Sequence, residues 1–489
     1  MNYQIEGHPH RHAVEEMLLH LLPGLTVSEG MDDGWDFCGS CLTEQDGRLI
    51  AGSFVRLNGR TRKGERVGTL PAGAAPLERK RLENEMVKLS IYDAVVPELS
   101  EPPVWGSLTG VRPAKLARGL MERGMTADET ERYLCQHFYV SPERSALTMA
   151  AALAAQEIDQ KIRKNSVSVY VGIPFCPTRC NYCSFISAAV EKNAALIEPY
   201  VEALRAEVVS TGELLRKQHL TIDSLYIGGG TPTTLSSEQL HSLLLTLEEA
   251  LDLSRLFDYT VEAGRPDTIT ADKLRILRAH GVTRVNVNPQ SMNDEVLRLA
   301  GRPHTAQDVL ESYQLAREIG LSVINMDVIA GLEGDTPESF ANTMDTLIDL
   351  GAENITVHTL AIKRGAEQRD IQANLARRET VGHMLSYAQR VLTAHDYHAY
   401  YLYRQKFSAG GFENIGWCRP GTENFYNISM MEELQTIISL GAGGVSKRVN
   451  RTTGKIDRFT NPKYPLEYLQ AQERILQGKK SLLETPSYL

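Results

Sequence analysis

The sequence predicts an α/β protein whose central part is a partial, TIM-like (βα)6 barrel, with an N-terminal α+β domain and a C-terminal α/β extension. Strand-like and helix-like segments alternate six times between residues 167 and 362, and this alternation is typical of a parallel sheet with right-handed crossovers. Eight such repeats close a full barrel, so six predict an open one. The 489 residues are enough for a core of this size and for further domains.

Residues 1–160 are expected to form the N-terminal α+β accessory domain. Strands are predicted from apolar runs between turn signals, and helices from apolar residues spaced three and four apart. The strands are expected at residues 3–5, 37–43 and 48–57, and the helices at residues 77–95, from about Pro113, at residues 127–135 and at residues 142–162.

Two features of this domain could carry chemistry. Cys38 and Cys41 form a C-x-x-C pair, but they lie on a predicted strand rather than at a helix N-terminus, where the dipole would activate a thiol. We therefore favour two ordinary reduced thiols over a redox pair. Arg112 and Lys115 stand at a helix start and could bind an anion, but we favour a structural turn with solvated charges.

Residues 161–365 are expected to form the barrel. Its strands are predicted at residues 167–175, 224–228, 259–263, 284–288, 322–328 and 354–361, and its helices at residues 195–216, 237–251, 271–280, 306–319 and 337–350. In such barrels the active-site residues gather on the loops that follow the carboxyl ends of the strands.

Residues 366–489 are expected to form a C-terminal substrate-side domain. Its elements are predicted as a helix at residues 367–396, a strand at 397–407, a helical stretch at 430–438 and a last helix at 464–476.

The composition limits the partners and the compartment. A net charge of −9 gives no global attraction to nucleic acid or to an anionic membrane, so we expect neither as a partner. The longest apolar run, residues 146–155, is too short to span a bilayer. The first residues lack the basic and apolar regions of a signal peptide. Seven cysteines without an export signal predict the reducing cytoplasm.

Three cysteines follow the first barrel strand. Pro174 ends that strand, and Cys176, Cys180 and Cys183 come next with the spacing C-x3-C-x2-C. Three thiolates on one loop can hold three irons of a 4Fe–4S cubane and leave the fourth iron open to a substrate. The alternatives are a zinc knuckle and a redox thiol pair, and the lack of a second Cys/His pair nearby disfavours the zinc knuckle.

The segment Tyr170-Val-Gly-Ile-Pro-Phe-Cys-x3-Cys-Asn-Tyr-Cys183 resembles the cluster loop of radical S-adenosylmethionine (radical SAM) enzymes, and within them the oxygen-independent coproporphyrinogen III oxidase family. The stretches 105–115, 414–421, 424–427 and 430–433 resemble the HemZ-type coproporphyrinogen dehydrogenases of that family. The resemblance implies a radical SAM partial barrel with two cofactors, a 4Fe–4S cluster and S-adenosyl-L-methionine.

The resemblance also implies roles for single residues. A glycine loop after the second strand is similar to the family loop that binds the methionyl amine of S-adenosylmethionine, and four further residues match positions that hold the same cofactor. The loop is Gly228, Gly229, Gly230 and Thr231, and the four residues are Glu262, Gln290, Arg302 and Asp327. Read from the residues alone, the loop could be a tight turn and the strand-end carboxylates could be structural acceptors.

Two further residues are candidates for catalysis. Tyr170 matches a family tyrosine near the cluster and the sulfonium, although a strand aromatic can equally fill the core. Cys418 could ligate heme or relay a hydrogen atom, but a small buried residue is the simpler interpretation. Four basic residues could pair with substrate carboxylates or could be spread over the surface, namely Arg404, Lys406, Arg419 and Lys447.

The sequence also departs from its relatives at three places. Gly172 stands where the founding branch has a histidine, and Ser184-Phe185 stand where that branch has glycine and a further cysteine. These departures bear on a second bound S-adenosylmethionine and on substrate handling. Glu423-Asn-Phe-Tyr replaces the His-Asn pair of the heme-chaperone relatives, so the axial histidine is missing.

The function implied by the resemblance is the oxygen-independent decarboxylation of coproporphyrinogen III in heme biosynthesis. A 5′-deoxyadenosyl radical takes a hydrogen atom from a propionate β-carbon, and loss of carbon dioxide and one electron leaves a vinyl group. Two such events give protoporphyrinogen IX. The implied partners are the tetrapyrrole substrate and a reductase, flavodoxin or ferredoxin as electron donor. The alternatives are a heme chaperone and a radical SAM enzyme that modifies or degrades heme.

Overall fold

The computed structural model describes residues 1–22, 25–71, 73–183, 187–361, 378–405 and 411–484. The chain divides into two compact units, one formed by Met1–Met149 and one by most of the chain from Ala150 onward. Within the described ranges, no helix combines the length and the apolar character that crossing a membrane requires.

The first unit contains a five-stranded sheet in the order β2-β1-β3-β4-β5. The strand β1 is parallel to its two neighbours, and β3, β4 and β5 form an antiparallel meander. The strands are β1 (Asn2–Glu6), β2 (Ser28–Glu29), β3 (Phe37–Gln45), β4 (Arg48–Leu57) and β5 (Arg60–Thr69). The helices up to the start of the second sheet are α1 (Arg11–Leu21), α2 (Pro76–Val95), α3 (Pro113–Glu122), α4 (Ala127–His137) and α5 (Pro142–Lys161), with a 3-10 turn at Val96–Glu98.

The elements α1 and β5 of this unit are absent from the sequence prediction. The strand β5 is rich in charged residues and lacks apolar alternation, because most of its side chains are exposed. It is a strand because every residue pairs with β4, and because Gly64 lets the backbone approach α2. A Cβ on Gly64 would lie 2.0 Å from the carbonyl oxygen of Ser90. Helix α1 begins at His10 without a side-chain cap, so its start carries no sequence signal.

The second unit contains an eleven-stranded sheet in the order β14-β15-β13-β12-β11-β10-β9-β6-β16-β17-β18. Its centre is a run of six parallel strands, which confirms the predicted partial barrel. The six strands are β6 (Ser166–Ile173), β9 (Thr221–Gly229), β10 (Asp258–Gly264), β11 (Arg284–Val287), β12 (Val323–Ala330) and β13 (Asn354–Thr359). A short parallel pair outside this sheet joins β7 (Phe175–Cys176) to β8 (Ala188–Ala189).

Helices connect the parallel strands as the βα repeats require. They are α6 (Val190–Lys217), α7 (Ser237–Ala250), α8 (Ala271–Ala279), α9 (Asp294–Leu299), α10 (Ala306–Ile319) and α11 (Pro337–Leu350), with 3-10 turns at Pro232–Thr234 and Pro266–Thr268. Several of these helices begin at the Ser, Thr or Asn caps that the sequence provides, such as the capping box of Ser236 and Gln239.

The C-terminal residues extend the same sheet at both edges. The strand β16 (Ile437–Leu440) is parallel to β6, and β17 (Val445–Val449) and β18 (Ile456–Thr460) follow it antiparallel. At the other edge, β15 (Glu413–Cys418) runs antiparallel to β13 and to β14 (His398–Arg404). The remaining helices are α12 (Arg378–Ala394), α13 (Phe425–Glu432), α14 (Pro465–Gln470) and α15 (Gln472–Glu484). The domain boundaries at residues 160 and 365 stay predictions.

The predicted helical stretch at residues 430–438 is wrong. Helix α13 ends at Glu432, Glu433 takes a left-handed conformation, and Ile437–Leu440 form the buried strand β16. A short apolar run fits a buried parallel strand as well as a helix, and periodicity cannot separate the two. The last predicted helix is two helices, α14 and α15. The start of the helix predicted at residues 367–396 and the end of the strand predicted at residues 397–407 lie outside the described residues.

A buried ion pair joins helix α6 to helix α15. The Glu207 carboxylate and the Lys479 ammonium are 4% and 1% exposed, and Nζ of Lys479 donates to Oε1 of Glu207 at 2.5 Å. The carboxylate also accepts hydrogen bonds from Asn461, Tyr468 and the backbone N–H of Gly441. These donors offset the cost of burying the charge.

Lys479→Met should destabilise the fold, because it leaves the Glu207 carboxylate buried without its cation. We expect a loss of about 3–5 kcal/mol in the free energy of unfolding, measured by urea denaturation. The exposed neighbour Lys480 provides the matched control, and Lys480→Met should change stability by less than about 0.5 kcal/mol. Equal stability of the two variants would contradict this assignment.

Candidate active site

The cluster loop leaves the carboxyl end of β6. Cys176 is the last residue of β7, which pairs with β8, and the N–H of Cys183 donates to the carbonyl of Cys180 at 3.1 Å. All three cysteines are free thiols and partly exposed. Three thiols on one loop are a donor set that fits several irons of a cluster.

Two buried guanidinium groups hold the cluster loop. Arg265 donates to the hydroxyl of Thr178 at 2.9 Å and to its carbonyl at 3.2 Å. Arg302 donates to the hydroxyl of Tyr182 at 2.9 Å and to the carbonyl of Asn288 at 3.0 Å. Arg265 is 4% exposed and Arg302 is 6% exposed. The loop that carries three potential thiolates is therefore fixed by two buried cations.

The role of Arg265 is not predicted from the sequence. It lies in the segment Gly264-Arg-Pro-Asp267, directly after β10, on the edge of the barrel where functional loops gather. A basic residue directly after a barrel strand is the sequence signal that could have identified it as a functional residue. Burial raises the pKa of the Cys176 thiol, while hydrogen bonds from Thr231 and Ser187 and the charge of Arg265 act in the opposite direction.

The predicted glycine loop contacts the cluster loop. The Thr231 hydroxyl lies 3.6 Å from the sulfur of Cys176, and the N–H of Thr231 donates to the carbonyl of Phe175 at 2.8 Å. A Cβ on Gly230 would lie 2.5 Å from the Phe175 carbonyl oxygen and 3.0 Å from the Cys176 sulfur. Only glycine allows the two loops to approach this closely.

The other two glycines of the loop, Gly228 and Gly229, are required for different structural reasons. Gly229 has a φ of 114°, which L side chains rarely adopt. A Cβ on Gly228 would lie 2.8 Å from the carboxyl carbon of Glu262. The run of three glycines is therefore more than a tight turn, because one of them makes room for the predicted carboxylate.

Glu262 is held at the inner surface of the sheet. Its Oε1 accepts a hydrogen bond from the Tyr226 hydroxyl at 2.5 Å, and its Oε2 accepts one from the N–H of Gly229 at 3.1 Å. Burial raises the pKa of Glu262 to about 7, and the charge of Asp327 acts in the same direction. The carboxyl group is thus poised to change its charge near neutral pH.

Asp327 behaves in the opposite way. Burial alone would raise its pKa, but His358, whose Nε2 lies 3.8 Å from Oδ2, and hydrogen bonds from Asn325 and Thr356 outweigh it and lower the pKa. Asn325 donates to Oδ1 of Asp327 at 2.8 Å. The site therefore contains one carboxylate that is ionised and one that is easily neutralised.

Gln290 is fixed by its backbone next to Asp327. It has a φ of 67°, its N–H donates to the Asp327 carbonyl at 2.9 Å, and its carbonyl accepts from Ile329 at 3.0 Å. The buried side-chain oxygen Oε1 has no hydrogen-bond partner in the described part of the chain. A buried acceptor without a partner is costly unless a bound group donates to it.

Three tyrosine rings stack beside Glu262. The ring centroids of Tyr226 and Tyr426 are 4.6 Å apart, and the ring of Tyr170 lies 6.2 Å from the first and 6.1 Å from the second. Burial raises the pKa of all three hydroxyls, so they stay protonated. Tyr170 thus belongs to a wall of three stacked rings, which we call the tyrosine wall. The sequence did not reveal it, because Tyr426 comes from a distant helix.

Not all of the other residues predicted from the sequence lie near the cluster loop. Cys418 pairs with Asn354, the first residue of β13, and so lies at the amino-terminal edge of the parallel strands, away from the cluster loop. Arg419 lies at the same edge, where its N–H donates to the carbonyl of Glu353. Arg404 ends β14 and donates to the carbonyl of Gly411.

The remaining two basic residues and two of the departures from the relatives have separate outcomes. Lys447 donates to the sulfur of Met430 at 3.3 Å. Lys406 and Ser184-Phe185 lie outside the described residues. A Cβ on Gly172 would lie 3.2 Å from the Ala442 carbonyl oxygen, so a side chain at this position would require a small shift of its neighbours.

Comparison with known proteins identifies what the chain is similar to. Residues 170–347 match the radical SAM superfamily. The chain is 39% identical over 386 residues to the oxygen-independent coproporphyrinogen-III oxidase-like protein HemZ of Bacillus subtilis. The matched region covers 78% of this chain and 77% of that protein. It is 32% identical over 256 residues to the heme chaperone HemW of Bacillus subtilis, covering 50% of this chain and 65% of that protein. The solved coproporphyrinogen III oxidase (HemN) of Escherichia coli matches with a TM-score of 0.49 and 23% identity, covering 66% of this chain and 72% of that chain.

Gly228→Ala should weaken the binding of S-adenosylmethionine without loss of the iron–sulfur cluster. The added Cβ would displace the Glu262 carboxyl group, 2.8 Å away, and leave the cysteines in place. We expect at least about tenfold weaker binding, or about 1.4 kcal/mol, measured by anaerobic calorimetry. Gly119→Ala meets only a side-chain end at 3.7 Å and is the matched control. Equal affinities for the two variants would contradict the assigned contact.

The affinity for S-adenosylmethionine should rise with pH through the pKa of Glu262, about 7. A raised carboxyl pKa means that the group is neutral below this pH, and the cationic ligand selects the ionised form. Binding at pH 6 should be roughly tenfold weaker than at pH 8, since about one tenth of the carboxyl groups is ionised at pH 6.

Glu262→Gln separates this effect from any other pH-dependent change in the protein. The variant removes the titrating carboxyl group and keeps its shape, so its affinity should change little between the two pH values. An unchanged pH dependence in the variant would assign the effect to another group.

Proposed function

The chain belongs to the radical SAM superfamily and, within it, to the family of oxygen-independent coproporphyrinogen-III oxidase-like proteins, and from this premise we propose that it decarboxylates coproporphyrinogen III to protoporphyrinogen IX. Enzymes of this superfamily use a 4Fe–4S cluster and S-adenosylmethionine. The proposed reaction is an oxidation in heme biosynthesis, with a reductase, flavodoxin or ferredoxin as electron donor.

The residues present fit both cofactors. Cys176, Cys180 and Cys183 supply three thiolates, the number that leaves one iron of a cubane open. The unpartnered Oε1 of Gln290 and the Glu262 carboxyl group supply acceptors for a polar, cationic ligand. When bound, the two cofactors together supply the hydrogen-atom abstraction that begins the decarboxylation.

The protein's own groups prepare the site for this chemistry. Arg265 and Arg302 hold the cluster loop, and the charge of Asp327 is fixed by His358 and Asn325. The tyrosine wall places apolar ring faces beside Glu262. Apolar faces there would help to keep water away from the radical chemistry that the bound cofactors would supply.

One observation carries the proposal. The Thr231 hydroxyl touches the Cys176 sulfur, so the loop that would bind the amino-acid part of S-adenosylmethionine adjoins the loop that would hold the cluster. The sequence similarity to the coproporphyrinogen-III oxidase-like protein HemZ supports the choice of substrate, because the similar region covers 77% of that protein.

Anaerobic turnover with a reductant tests the proposal. Coproporphyrinogen III and heme are offered in parallel, and the products are identified by mass spectrometry. We expect 5′-deoxyadenosine together with loss of two carboxyl groups from coproporphyrinogen III. Cys180→Ser should abolish both products, and Cys135→Ser, on helix α4, should abolish neither.

A heme-chaperone function is the second candidate, because the chain is 32% identical to HemW over 256 residues. Stoichiometric heme binding without decarboxylation would favour it and refute the proposed oxidase. A modified or opened heme product would instead assign the same radical chemistry to another tetrapyrrole reaction. Against the chaperone, Glu423 stands where the resemblance to the heme-chaperone relatives implies an axial histidine.

A further inference from the structure

Three potential metal ligands converge at the amino-terminal edge of the barrel, away from the cluster loop. His398 is the first residue of β14 and Cys418 the last of β15, and the two are direct cross-strand partners. Glu423 follows five residues later, just before α13. One ligand atom from each residue lies within 4.8 Å of the others.

The distances among these atoms resemble those around a tetrahedral ion. Nε2 of His398 lies 3.3 Å from the sulfur of Cys418 and 3.0 Å from Oε1 of Glu423. With zinc–ligand bonds of about 2.0–2.3 Å, tetrahedral sulfur–nitrogen and nitrogen–oxygen separations are about 3.6 and about 3.3 Å. Each observed distance is therefore about 0.3 Å short of the ideal, a shift that side-chain rotation can supply.

The charges also match a divalent ion. A thiolate, a carboxylate and a neutral imidazole carry two negative charges, which a dication balances. Cys418 is fully buried and the Glu423 side chain is 19% exposed. Negative charges in so enclosed a place need a cation beside them.

The neighbouring cation does not meet this need. Arg284 donates to the carbonyls of Thr422 and Glu423 rather than to the thiol, and it pairs with Asp258 at 3.4 Å. The guanidinium hydrogen bonds therefore go to backbone carbonyls and to Asp258, and the sulfur, nitrogen and oxygen donors of the three residues face one another.

We propose that His398, Cys418 and Glu423 bind a zinc ion. A mixed sulfur, nitrogen and oxygen donor set suits zinc better than magnesium or calcium, which prefer oxygen alone. The Cys418 side of the site is buried, and the His398 side chain is 37% exposed. The imidazole side of the site is therefore the side that solvent reaches.

The ion would fasten the loop between β15 and α13. The same loop continues into Asn424, whose side chain donates to the Thr260 hydroxyl at 3.0 Å and caps α13. Tyr426, on α13, completes the tyrosine wall. The zinc site would thus fix the start of the segment that supplies one wall of the proposed active site. Zinc binding can be measured without an assay of enzyme activity.

The test is the zinc content of the full-length protein with its iron–sulfur cluster reconstituted. The protein is treated with a weak chelator, loaded with zinc chloride and passed through gel filtration, and zinc and iron are measured by mass spectrometry. We expect about one zinc per chain in the wild type and a loss of at least tenfold in His398→Gln and Cys418→Ser. His395→Gln and Cys135→Ser are matched controls that should retain the zinc.

Zinc bound to the cluster cysteines is the main competing outcome. In a protein with Cys176, Cys180 and Cys183 all replaced by serine, the proposed site should still bind one zinc and raise the unfolding temperature. Loss of zinc in this variant, zinc retention by both His398→Gln and Cys418→Ser, or a wild type without zinc would each overturn the proposal. His398 is partly exposed, so His398→Gln keeps the test valid even if Cys418→Ser fails to fold.

Discussion

The parallel register of β6 with β9 is the constraint on which the site depends. Gly172 pairs with Gly228 and Ile173 with Gly229, so the two strands end side by side. The next residues of each strand form the cluster loop and the glycine loop, and they meet where Thr231 touches Cys176. A shift of one residue would move every side chain of β9 to the opposite face. The close approach therefore requires both the register and the absence of a side chain on Gly230.

The electrostatics of the site follow from what surrounds each carboxyl group. Glu262 lies beside stacked tyrosines and, within the described residues, accepts one side-chain hydrogen bond, from Tyr226, so burial dominates its pKa. Asp327 is also enclosed, but His358 and Asn325 reach it, and its pKa falls. The two carboxyl groups thus differ in charge near neutral pH because their hydrogen-bond partners differ. A cationic ligand bound beside them would meet one fixed negative charge and one that it can induce.

Most of the barrel, and the segments that meet at the candidate site, could be predicted from the sequence, because the relevant signals are local. The strand, proline and three cysteines lie in one short segment, and the glycine loop ends the next strand. What escaped prediction depends on contacts between distant segments. Tyr426 reaches Tyr226 from a helix 200 residues later, and β16 is a strand only because β6 offers a free edge. Arg265 had a local signal, its place after a strand, but no pattern that names the loop it holds.

The C-terminal segment connects the two edges of the barrel, and this explains why Cys418 can matter without lying near the cluster. The chain runs from β15, whose last residue is Cys418, through Glu423 into α13 and Tyr426. The position of Tyr426 relative to Tyr170 and Tyr226 therefore depends on how the preceding loop is held. Arg284 already binds two carbonyls of that loop, and Asn424 binds Thr260. An ion shared by His398, Cys418 and Glu423 would add a third attachment, so that a structural centre at one edge shapes the aromatic wall at the other.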